Sequence, residues 1–300
     1  LARSENCTVE NNIAIHNNNS VNLKTGIYVY QSIYNDIYNN TLTDNQYGVR
    51  LYTSSTNNVI HNNTAENNSN HGIFLSTYCS NNTVTNNTAS YSDGGIGVST
   101  DSQNNIIRNN SCSFNLYGIS IRISSLNNTL RNNTIFNNSF YGVRIQQNSE
   151  NNIIKNNTIQ NNSVYGIYIS SSSSNRIYNN YLNNTDNAYD DSSNSWNTTQ
   201  QAGTNIIEGS YLAGNYYHDY SGLDANDDGI GDTIYSIAGG NNIDYLPLSY
   251  GQIYVDDDAS ADWYDEYHVR TIQEGINNAT STRTTVYIWN GTYTENVTLN

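Results

Sequence analysis

The sequence predicts an all-β fold, a parallel β-helix of about 23 residues per coil, from two recurring markers and one alternating pattern. A glycine recurs at steps of 22 to 24 residues, at Gly26, Gly48, Gly72, Gly95, Gly118, Gly142 and Gly166. Paired asparagines recur at steps of 23 or 24 residues, at Asn39-Asn40, Asn62-Asn63, Asn86-Asn87, Asn109-Asn110, Asn132-Asn133, Asn156-Asn157 and Asn179-Asn180. Apolar and polar residues alternate after each glycine, as they do in a strand with one buried face. Two unrelated markers with one period indicate a solenoid.

The segments between these strands favour turns over helices. They consist largely of Asn, Ser, Thr and Gly, which offer the backbone local hydrogen bonds and weaken helices. Leucine-rich repeats are the alternative at this period, but their leucine and asparagine scaffold is absent. We therefore expect about three short strands in each coil.

Three inward columns are predicted to form the core. The first and third residues after each glycine are aliphatic: Ile27/Val29, Val49/Leu51, Ile73/Leu75, Ile96/Val98, Ile119/Ile121, Val143/Ile145 and Ile167/Ile169. A second column precedes the paired asparagines, with Ile60, Val84, Ile107, Leu130, Ile154 and Ile177. A third follows them, with Ala65, Ala89, Cys112, Ile135 and Ile159. Equivalent residues of successive coils stack at about 4.8 Å, so each column becomes a continuous ridge.

The recurring asparagines are predicted to be structural. Asparagine tolerates the left-handed backbone region, and its amide can bond to the same group one coil above and below. The same residues create N-glycosylation sequons, such as those of Asn132, Asn137, Asn156 and Asn161. We expect these side chains to form the ladder, with glycan attachment as the alternative.

The composition excludes several classes of protein. The 300 residues contain no run of 18 apolar residues, so no membrane span is predicted, and no signal peptide is visible at Leu1. Because the chain lacks an initiator methionine and starts within a repeat-like segment, we expect a processed or excised piece of a larger protein. The three cysteines have no metal-ligand spacing, and Cys112 is predicted to be a buried thiol, so a disulfide framework is not expected.

Charge is divided unevenly along the chain. The formal net charge is −15, yet residues 1–185 hold 9 Lys/Arg against 8 Asp/Glu, whereas residues 186–300 hold 2 against 18. The acidic end would repel phosphates, so nucleic acid is not an expected partner. Cations are its natural partners.

The patterns predict three regions. Residues 1–185 carry the regular coils. The glycine pattern fails at Asp186, so residues 186–250 are predicted to form irregular closing coils with larger aromatic residues over the core. Residues 253–300 are predicted to form a strand, an amphipathic helix with Val269, Ile272 and Ile276 at helical spacing, and the first strands of a following β-helix.

A calcium-loop-like segment lies in the closing region. It places oxygen ligands at the first, third, fifth, seventh and ninth positions, the seventh through its backbone carbonyl: Asp224, Asn226, Asp228, Ile230 and Asp232. The twelfth position is Tyr235 instead of Glu, so Asp219 or Asp244 would have to supply the missing ligand. The alternative is an Asx-rich turn without a metal ion.

The regular coils also present a stripe of aromatic and arginine side chains. The outward positions after the glycines hold Tyr28, Tyr30, Arg50, Tyr52, Phe74, Arg122, Arg144 and Tyr168, and the positions just before them hold Tyr47, Tyr117, Tyr141 and Tyr165. Such a stripe can bind sugar rings or another protein. The alternative is a solvated face in a chain with 27 tyrosines.

Groups for catalysis are scattered along the regular coils. The acids are Asp36, Asp44, Glu66, Asp93, Asp101 and Glu150, and the histidines of the chain are His16, His61, His71, His218 and His268. A glycoside hydrolase needs two carboxylates that flank one bond, and a lyase needs a base with a cation nearby. We therefore expect no catalytic residues, and histidines that are solvated or hydrogen-bonded.

Several segments carry a family resemblance. The stretches NNTDNAYDD, YLAGNYYHDYSG, DANDDGIGDTIYSI and GGNNIDYLPL resemble the closing segment of the NosD-like family of carbohydrate-binding and sugar-hydrolase parallel β-helices. IYVDDDASADWYDEYHVRTIQEGINNA and VYIWNGTYTENV resemble its opening segment, especially in multi-module surface proteins of methanogenic archaea. The resemblance implies a right-handed β-helix at the cell surface, whereas the scattered histidines give little support to NosD-type copper handling.

The order of these segments suggests a hypothesis about assembly. An opening segment normally precedes the coils, but in this chain it lies at the carboxyl end. The chain is then either part of a tandem array or a subunit whose last strands continue into the first coil of another copy.

The sequence favours a non-catalytic extracellular structural protein. It would be a module of a surface layer, sheath or fibre, with other copies or tandem modules as partners. The alternative is a module that binds or cleaves surface polysaccharide, similar to the disaggregating enzymes of methanogens.

Overall fold

The chain forms a parallel β-helix in a computed structural model, which describes residues 1–17, 24–265, 267–279 and 285–299. Its rod contains β1 (Thr8–Glu10), β2 (Ile13–Ile15), β3 (Thr25–Tyr30), β4 (Asp36–Tyr38), β5 (Thr41–Thr43), β6 (Tyr47–Tyr52), β7 (Val59–His61), β8 (Thr64–Glu66), β9 (His71–Ser76), β10 (Thr83–Thr85), β11 (Thr88–Ser90), β12 (Gly94–Ser99), β13 (Ile106–Arg108), β14 (Ser111–Ser113), β15 (Tyr117–Arg122), β16 (Thr129–Arg131), β17 (Thr134–Phe136), β18 (Tyr141–Gln146), β19 (Ile153–Lys155), β20 (Thr158–Gln160), β21 (Tyr165–Ser170), β22 (Arg176–Tyr178), β23 (Tyr181–Asn183) and β24 (Asp186–Asp190). The predicted fold class and three strands per coil are confirmed. Residues 18–23 of the predicted coils and 280–284 of the predicted opening segment lie outside the described residues.

Three parallel sheets run along the rod. The first has eight strands in the order β1-β4-β7-β10-β13-β16-β19-β22, and the third has eight in the order β24-β21-β18-β15-β12-β9-β6-β3. The second has nine, from β2 through β5, β8, β11, β14, β17, β20 and β23 to β27 (Tyr216–Tyr217). Every pair within the rod is parallel and in register, for example Ile119 beside Val143 and Ile121 beside Ile145. Equivalent side chains of successive coils therefore stack along the rod axis.

The inward columns form one continuous core, as predicted. Their members from Val29 to Ile177 are fully buried and belong to one cluster with Cys79, Cys112 and Leu182. The recurring glycine is required by close approach: a Cβ at Gly142 would lie 2.6 Å from the carbonyl oxygen of Gly166 and 2.6 Å from Cγ2 of Ile159. Any side chain at this position would push neighbouring coils apart.

Buried asparagines form hydrogen-bonded ladders at the turns, and the two members of each pair have different roles. The second member is the ladder residue: in Asn133, the backbone N–H and Nδ2 both donate to Oδ1 of Asn157, at 3.0 and 2.9 Å. The first member is the one with the left-handed backbone, at φ 56° in Asn132. The expectation that Asn132, Asn137, Asn156 and Asn161 form the ladder is therefore wrong.

Those four sequon asparagines point outward from left-handed turn positions between two strands of one coil. Asn132, Asn137 and Asn161 are exposed and Asn156 is half-buried. The Asn156 side chain accepts one outer hydrogen bond, from Nδ2 of Asn179 at 2.9 Å. The ladder and the sequons thus use adjacent residues of the same motif.

The closing region covers the core with aromatic side chains. Asp186–Asp190 still pairs in parallel with Tyr165–Ser170, so the third sheet extends through Asp190. Trp196 and Tyr217 are fully buried against the last coils. The short strands beyond the rod are β25 (Gln201–Ala202), β26 (Tyr211–Leu212), β28 (Tyr235–Ser236) and β29 (Ile243–Asp244).

The carboxyl-terminal segment forms a small separate core. Strand β30 (Gln252–Val255) pairs in parallel with β31 (His268–Val269) and β32 (Thr285–Ile288). A 3-10 turn at Ala261–Trp263 precedes helix α1 (Ile272–Asn278), which starts with a capping box between Thr271 and Glu274. In the described part of the chain, no helix has the length and apolar character needed to span a membrane.

Candidate functional site

The outer face of the third sheet collects the predicted aromatic and arginine stripe. Cross-strand register places Tyr28, Arg50, Phe74, Gly97, Ser120, Arg144 and Tyr168 in one column along the rod. Tyr30, Tyr52 and Arg122 lie in a parallel column, and Tyr47, Tyr117, Tyr141 and Tyr165 lie in another. The parallel register of the coils therefore turns a scattered sequence pattern into one surface, which we call the tyrosine–arginine face.

One group of side chains lies at the amino-terminal end of this face. The rings of Tyr28 and Tyr30 stack at a centroid distance of 6.1 Å. The guanidinium of Arg50 lies 4.8 Å from the ring of Tyr47 and 4.5 Å from that of Tyr52. These five residues form the amino-terminal cluster, in which aromatic faces hold the arginine by cation–π contact.

A second group lies further along the rod. The guanidinium of Arg144 lies 4.2 Å from the ring of Tyr117. The rings of Tyr141 and Tyr168 stack almost in parallel at 4.4 Å, and Arg122 lies on the same strand as Tyr117. These five residues form the carboxyl-terminal cluster.

One of the two strands between the clusters carries only small residues at its outward positions, and the other carries His71, Phe74 and Ser76. The outward positions of the intervening strand Gly94–Ser99 are Gly94, Gly97 and Ser99. The ring of His71 lies over the two glycines, and a Cβ at Gly97 would approach its Cδ2 to 2.6 Å. Only glycine leaves room for this imidazole, so the strand Gly94–Ser99 carries no long outward side chain of its own.

The face is positively charged although the chain is acidic. No Asp or Glu occupies an outward position of the third sheet between Thr25 and Ser170. Within the described residues, the ion pairs all involve histidine, and Nε of Arg50, Arg122 and Arg144 has no hydrogen-bond partner. Burial, and then repulsion from Arg144, lowers the pKa of Arg122. Two guanidinium groups thus share this surface without a carboxylate to balance them.

His71 is the part of this face that sequence reasoning missed. Its Nδ1 pairs with Oδ1 of Asn70, whose Nδ2 donates to the hydroxyl of Tyr47 at 3.0 Å. Burial, together with repulsion from Arg122 and Arg144, lowers the pKa of His71 to about 3, so the imidazole is neutral at physiological pH. The signal was in the repeat: His71 precedes Gly72 as Tyr47 precedes Gly48, which assigns it an outward position on this sheet.

A family model described as periplasmic copper-binding protein (NosD) matches residues 1–124 and 77–222, which together exceed half of the chain. The chain belongs to the NosD family. The predicted family is thereby confirmed, and with it the right-handed parallel β-helix. No curated protein sequence matches this NosD-family chain.

Solved structures of similar fold include enzymes that modify polysaccharides. The A-module of the Azotobacter vinelandii mannuronan C-5 epimerase AlgE6 matches with a TM-score of 0.57 at 19% identity, over 64% of this chain and 57% of that one. The periplasmic alginate epimerase AlgG matches with a TM-score of 0.50 at 17% identity, over 86% of this chain and 49% of that one. The NosD-family chain thus spans about half the length of these proteins. At this identity, the likeness shows the fold alone.

Copper ligands do not come together in the described part of this NosD-family chain. Cys79 and Cys112 are buried singly, and burial raises the pKa of the Cys79 thiol to about 11. His61 instead pairs with Asp36 at 3.0 Å, and His16 with Asp44 at 3.5 Å. The only convergent group of three ligating side chains among the described residues is Asp256, Asp257 and Asp258, a set of hard oxygen ligands. These residues do not fit copper, which favours imidazole and sulfur ligands.

The calcium-loop-like segment forms a network of Asx turns. The carboxylate of the buried Asp224 accepts N–H groups from Asp228 at 3.1 Å and Gly229 at 2.8 Å. Asp228 Oδ1 accepts the N–H of Ile230, and Asp232 Oδ2 accepts the N–H of Ala225. Burial raises the pKa of Asp224 to about 6. The loop oxygens are thus engaged by backbone groups, and calcium at Asp224, Asn226, Asp228, Ile230 and Asp232 stays a prediction.

The residues expected to complete that loop have other partners. Asp219 accepts hydrogen bonds from the Tyr235 hydroxyl at 3.0 Å and from Nδ2 of Asn187 at 2.7 Å. Asp244 is buried and accepts the N–H of Asn215 at 2.7 Å. Both carboxylates thus accept hydrogen bonds at the ends of asparagine ladders, and a role for either as the missing calcium ligand stays a prediction.

Proposed function

We propose that this chain is a non-catalytic module that binds an acidic polysaccharide along its tyrosine–arginine face, outside the cytoplasm. One observation carries the proposal: three unpaired arginines, Arg50, Arg122 and Arg144, share a carboxylate-free face in a chain of net charge −15. A half-buried guanidinium without a carboxylate partner gains from an anionic ligand, and its planar group matches a carboxylate or sulfate with two parallel hydrogen bonds.

The aromatic side chains favour a sugar over a small inorganic anion. Tyr141 and Tyr168 present stacked rings beside the arginines, and the ring of Tyr117 lies tilted against that of Tyr141. An amphipathic ring combines an apolar surface with a hydroxyl group that can bond to a polar ligand. A polymer of ring-shaped, negatively charged units uses both features.

The arrangement favours binding over cleavage. The face has no Asp or Glu that could pair as acid and nucleophile, and its histidine is buried with a pKa of about 3, which makes it a weak base. The matched epimerases show that the rod fold serves polysaccharide chemistry in other proteins, which supports the polysaccharide alternative over a purely structural module. Assembly with other copies stays a prediction. The periplasmic description of the family supports an extracellular or periplasmic location.

The test compares charged and neutral ligands with matched variants. Calorimetric titration with a uronic-acid polysaccharide should show binding that weakens as salt rises, whereas a neutral glucan should not bind. The double variant Arg122→Gln, Arg144→Gln should bind at least about tenfold more weakly, corresponding to about 1.4 kcal/mol.

The double variant Arg108→Gln, Arg131→Gln provides the control because it removes the same two charges from the first sheet, away from this face. It should leave the affinity unchanged. Equal binding of neutral and acidic polymers, or an equal loss in this double-variant control, would contradict the proposal.

A further inference from the structure

The two clusters of the tyrosine–arginine face are aligned along the rod axis. Arg50 and Arg144 belong to the same cross-strand column, separated by Phe74, Gly97 and Ser120. Four coil steps of about 4.8 Å place their backbones about 19 Å apart. A ligand that meets both arginines must therefore extend along the axis.

The surface between the clusters leaves room for such a ligand. Of its two strands, the first has His71, Phe74 and Ser76 at its outward positions, with ring centroids 4.6 Å apart for His71 and Phe74, and the second has Gly94, Gly97 and Ser99. Because His71 is neutral, this stretch adds neither charge nor a long polar side chain. The stretch therefore presents rings and small residues, with no carboxylate that would repel an acidic polymer.

A ligand that crosses the rod along a single strand would contact fewer arginines. The strand Tyr47–Tyr52, for example, has three outward residues, and only one of them, Arg50, is an arginine. Only the axial direction combines positive charge from separate strands with the stacked rings.

We infer that the ligand is a long acidic oligosaccharide or polysaccharide that lies parallel to the rod axis and bridges the amino-terminal and carboxyl-terminal clusters, an inference that rests on the proposed function. The bridge makes binding depend on chain length. A short oligosaccharide contacts one cluster, whereas a longer one engages the second cluster intramolecularly and gains affinity without a new kind of contact.

The experiment measures affinity for uronic-acid oligosaccharides of increasing length by calorimetric titration. The affinity should rise by at least about tenfold once the chain is long enough to span four coils, and then level off, since about 1.4 kcal/mol corresponds to a factor of ten. In Arg50→Gln, the ratio of long-chain to short-chain affinity should fall to near one. Arg50→Lys keeps the charge and should retain part of the rise, and Arg131→Gln should retain all of it.

The outcomes separate this inference from the proposed function. Absence of binding at every length would overturn both. Binding with no dependence on length, or a rise that persists unchanged in Arg50→Gln, would overturn the bridging inference and leave the acidic-polysaccharide face in place. Circular dichroism of each variant checks that the rod is intact, and the length series on the unsubstituted chain needs no variant.

Discussion

The regular coils and the closing region use the same hydrogen-bonded device with different residues. In the coils, each ladder asparagine donates from its backbone N–H and from Nδ2 to Oδ1 of the next, as Asn157 does to Asn180. In the closing region, Asp244 takes the place of the next asparagine and accepts both donors of Asn215, at 2.7 and 3.2 Å. The comparison shows that an amide ladder has a donor end and an acceptor end, and that a carboxylate, which only accepts hydrogen bonds, can take the position after the donor end.

A carboxylate also accepts the side-chain donor at the end of the other two ladders, whereas the backbone N–H of Asn194 donates to Oδ1 of Asn242 at 3.2 Å. Asn194 ends one ladder and donates from Nδ2 to both oxygens of Asp190, at 2.9 and 3.0 Å. Asn187 ends another and donates to Asp219 at 2.7 Å. An ionised carboxylate offers acceptor sites and no donor, whereas a further asparagine would pass the unpaired donors on to the next position. The aspartates therefore terminate the ladders in the way that a capping residue terminates a helix.

The closing region differs from the regular coils because two of the ladders end there on buried carboxylates, and burying a charged group costs free energy. Every buried carboxylate among the described residues lies in the closing region, at Asp190, Asp224 and Asp244. Burial raises the pKa of Asp244 to about 7, although four hydrogen bonds favour its charged form. The ladders of the coils carry no charge, so their hydrogen bonds should not depend on pH, whereas those to Asp244 in the closing region should.

The largest effect is expected when a carboxylate is placed in the middle of a ladder. Asn133→Asp keeps the acceptor for Asn110 but loses the Nδ2 bonds to the Ile107 carbonyl oxygen and to Asn157 Oδ1. An acceptor then faces two acceptors in a fully buried turn. Urea unfolding should show a loss of at least about 3 kcal/mol, because unpaired buried polar groups cost about 1 to 3 kcal/mol each.

Asn132→Asp is the matched control one residue away. Asn132 is exposed and has a left-handed backbone that aspartate tolerates. Its stability should change by less than about 0.5 kcal/mol. Similar losses in the two variants would show that the buried ladder is not what holds the coils together.

A smaller effect is expected from the opposite exchange at the end of a ladder. The folded-state pKa of Asp244, about 7, lies above its ordinary value of 3.8. The stability that this group contributes is therefore complete below pH 4 and is lost as the pH rises toward 7, by up to about 1.4 kcal/mol per pH unit. Asp244→Asn should flatten this dependence, so that its stability relative to the unsubstituted chain improves from pH 5 to pH 8.

Unfolding free energies from urea titrations at pH 5, 6, 7 and 8 provide the measurement. Asp93→Asn, an exposed substitution on the regular coils, serves as the control and should leave the slope unchanged. If Asp244→Asn keeps the slope of the unsubstituted chain, the titrating group lies elsewhere.

The sequence was sufficient for the parts of the molecule that repeat. The period of the glycines and asparagines fixed the coils, the inward columns and the outward stripe, because each coil places equivalent residues in register. It did not distinguish Asn132 from Asn133, since the left-handed residue and the ladder residue are both asparagine. The sequence also did not predict the roles of Asp219 and Asp244. Asp244 contacts Asn215 across 29 residues of irregular chain, in which no repeat indicates which residues are neighbours.

The smallest effect is expected from calcium at the Asp224 loop. Burial raises the pKa of Asp224 to about 6, and a bound cation would stabilise its charged form. Both carboxylate oxygens already accept backbone N–H groups, so the gain in folding stability is limited. Millimolar calcium should raise the melting temperature by a few degrees, since a ligand at ten times its dissociation constant adds about 1.4 kcal/mol, and chelator should reverse the shift. Asp228→Asn should abolish the shift if the loop holds the ion, whereas Asp257→Asn should abolish it if the convergent group Asp256–Asp258 does. Unchanged melting in calcium would leave the loop as an Asx turn that the backbone N–H groups alone stabilise.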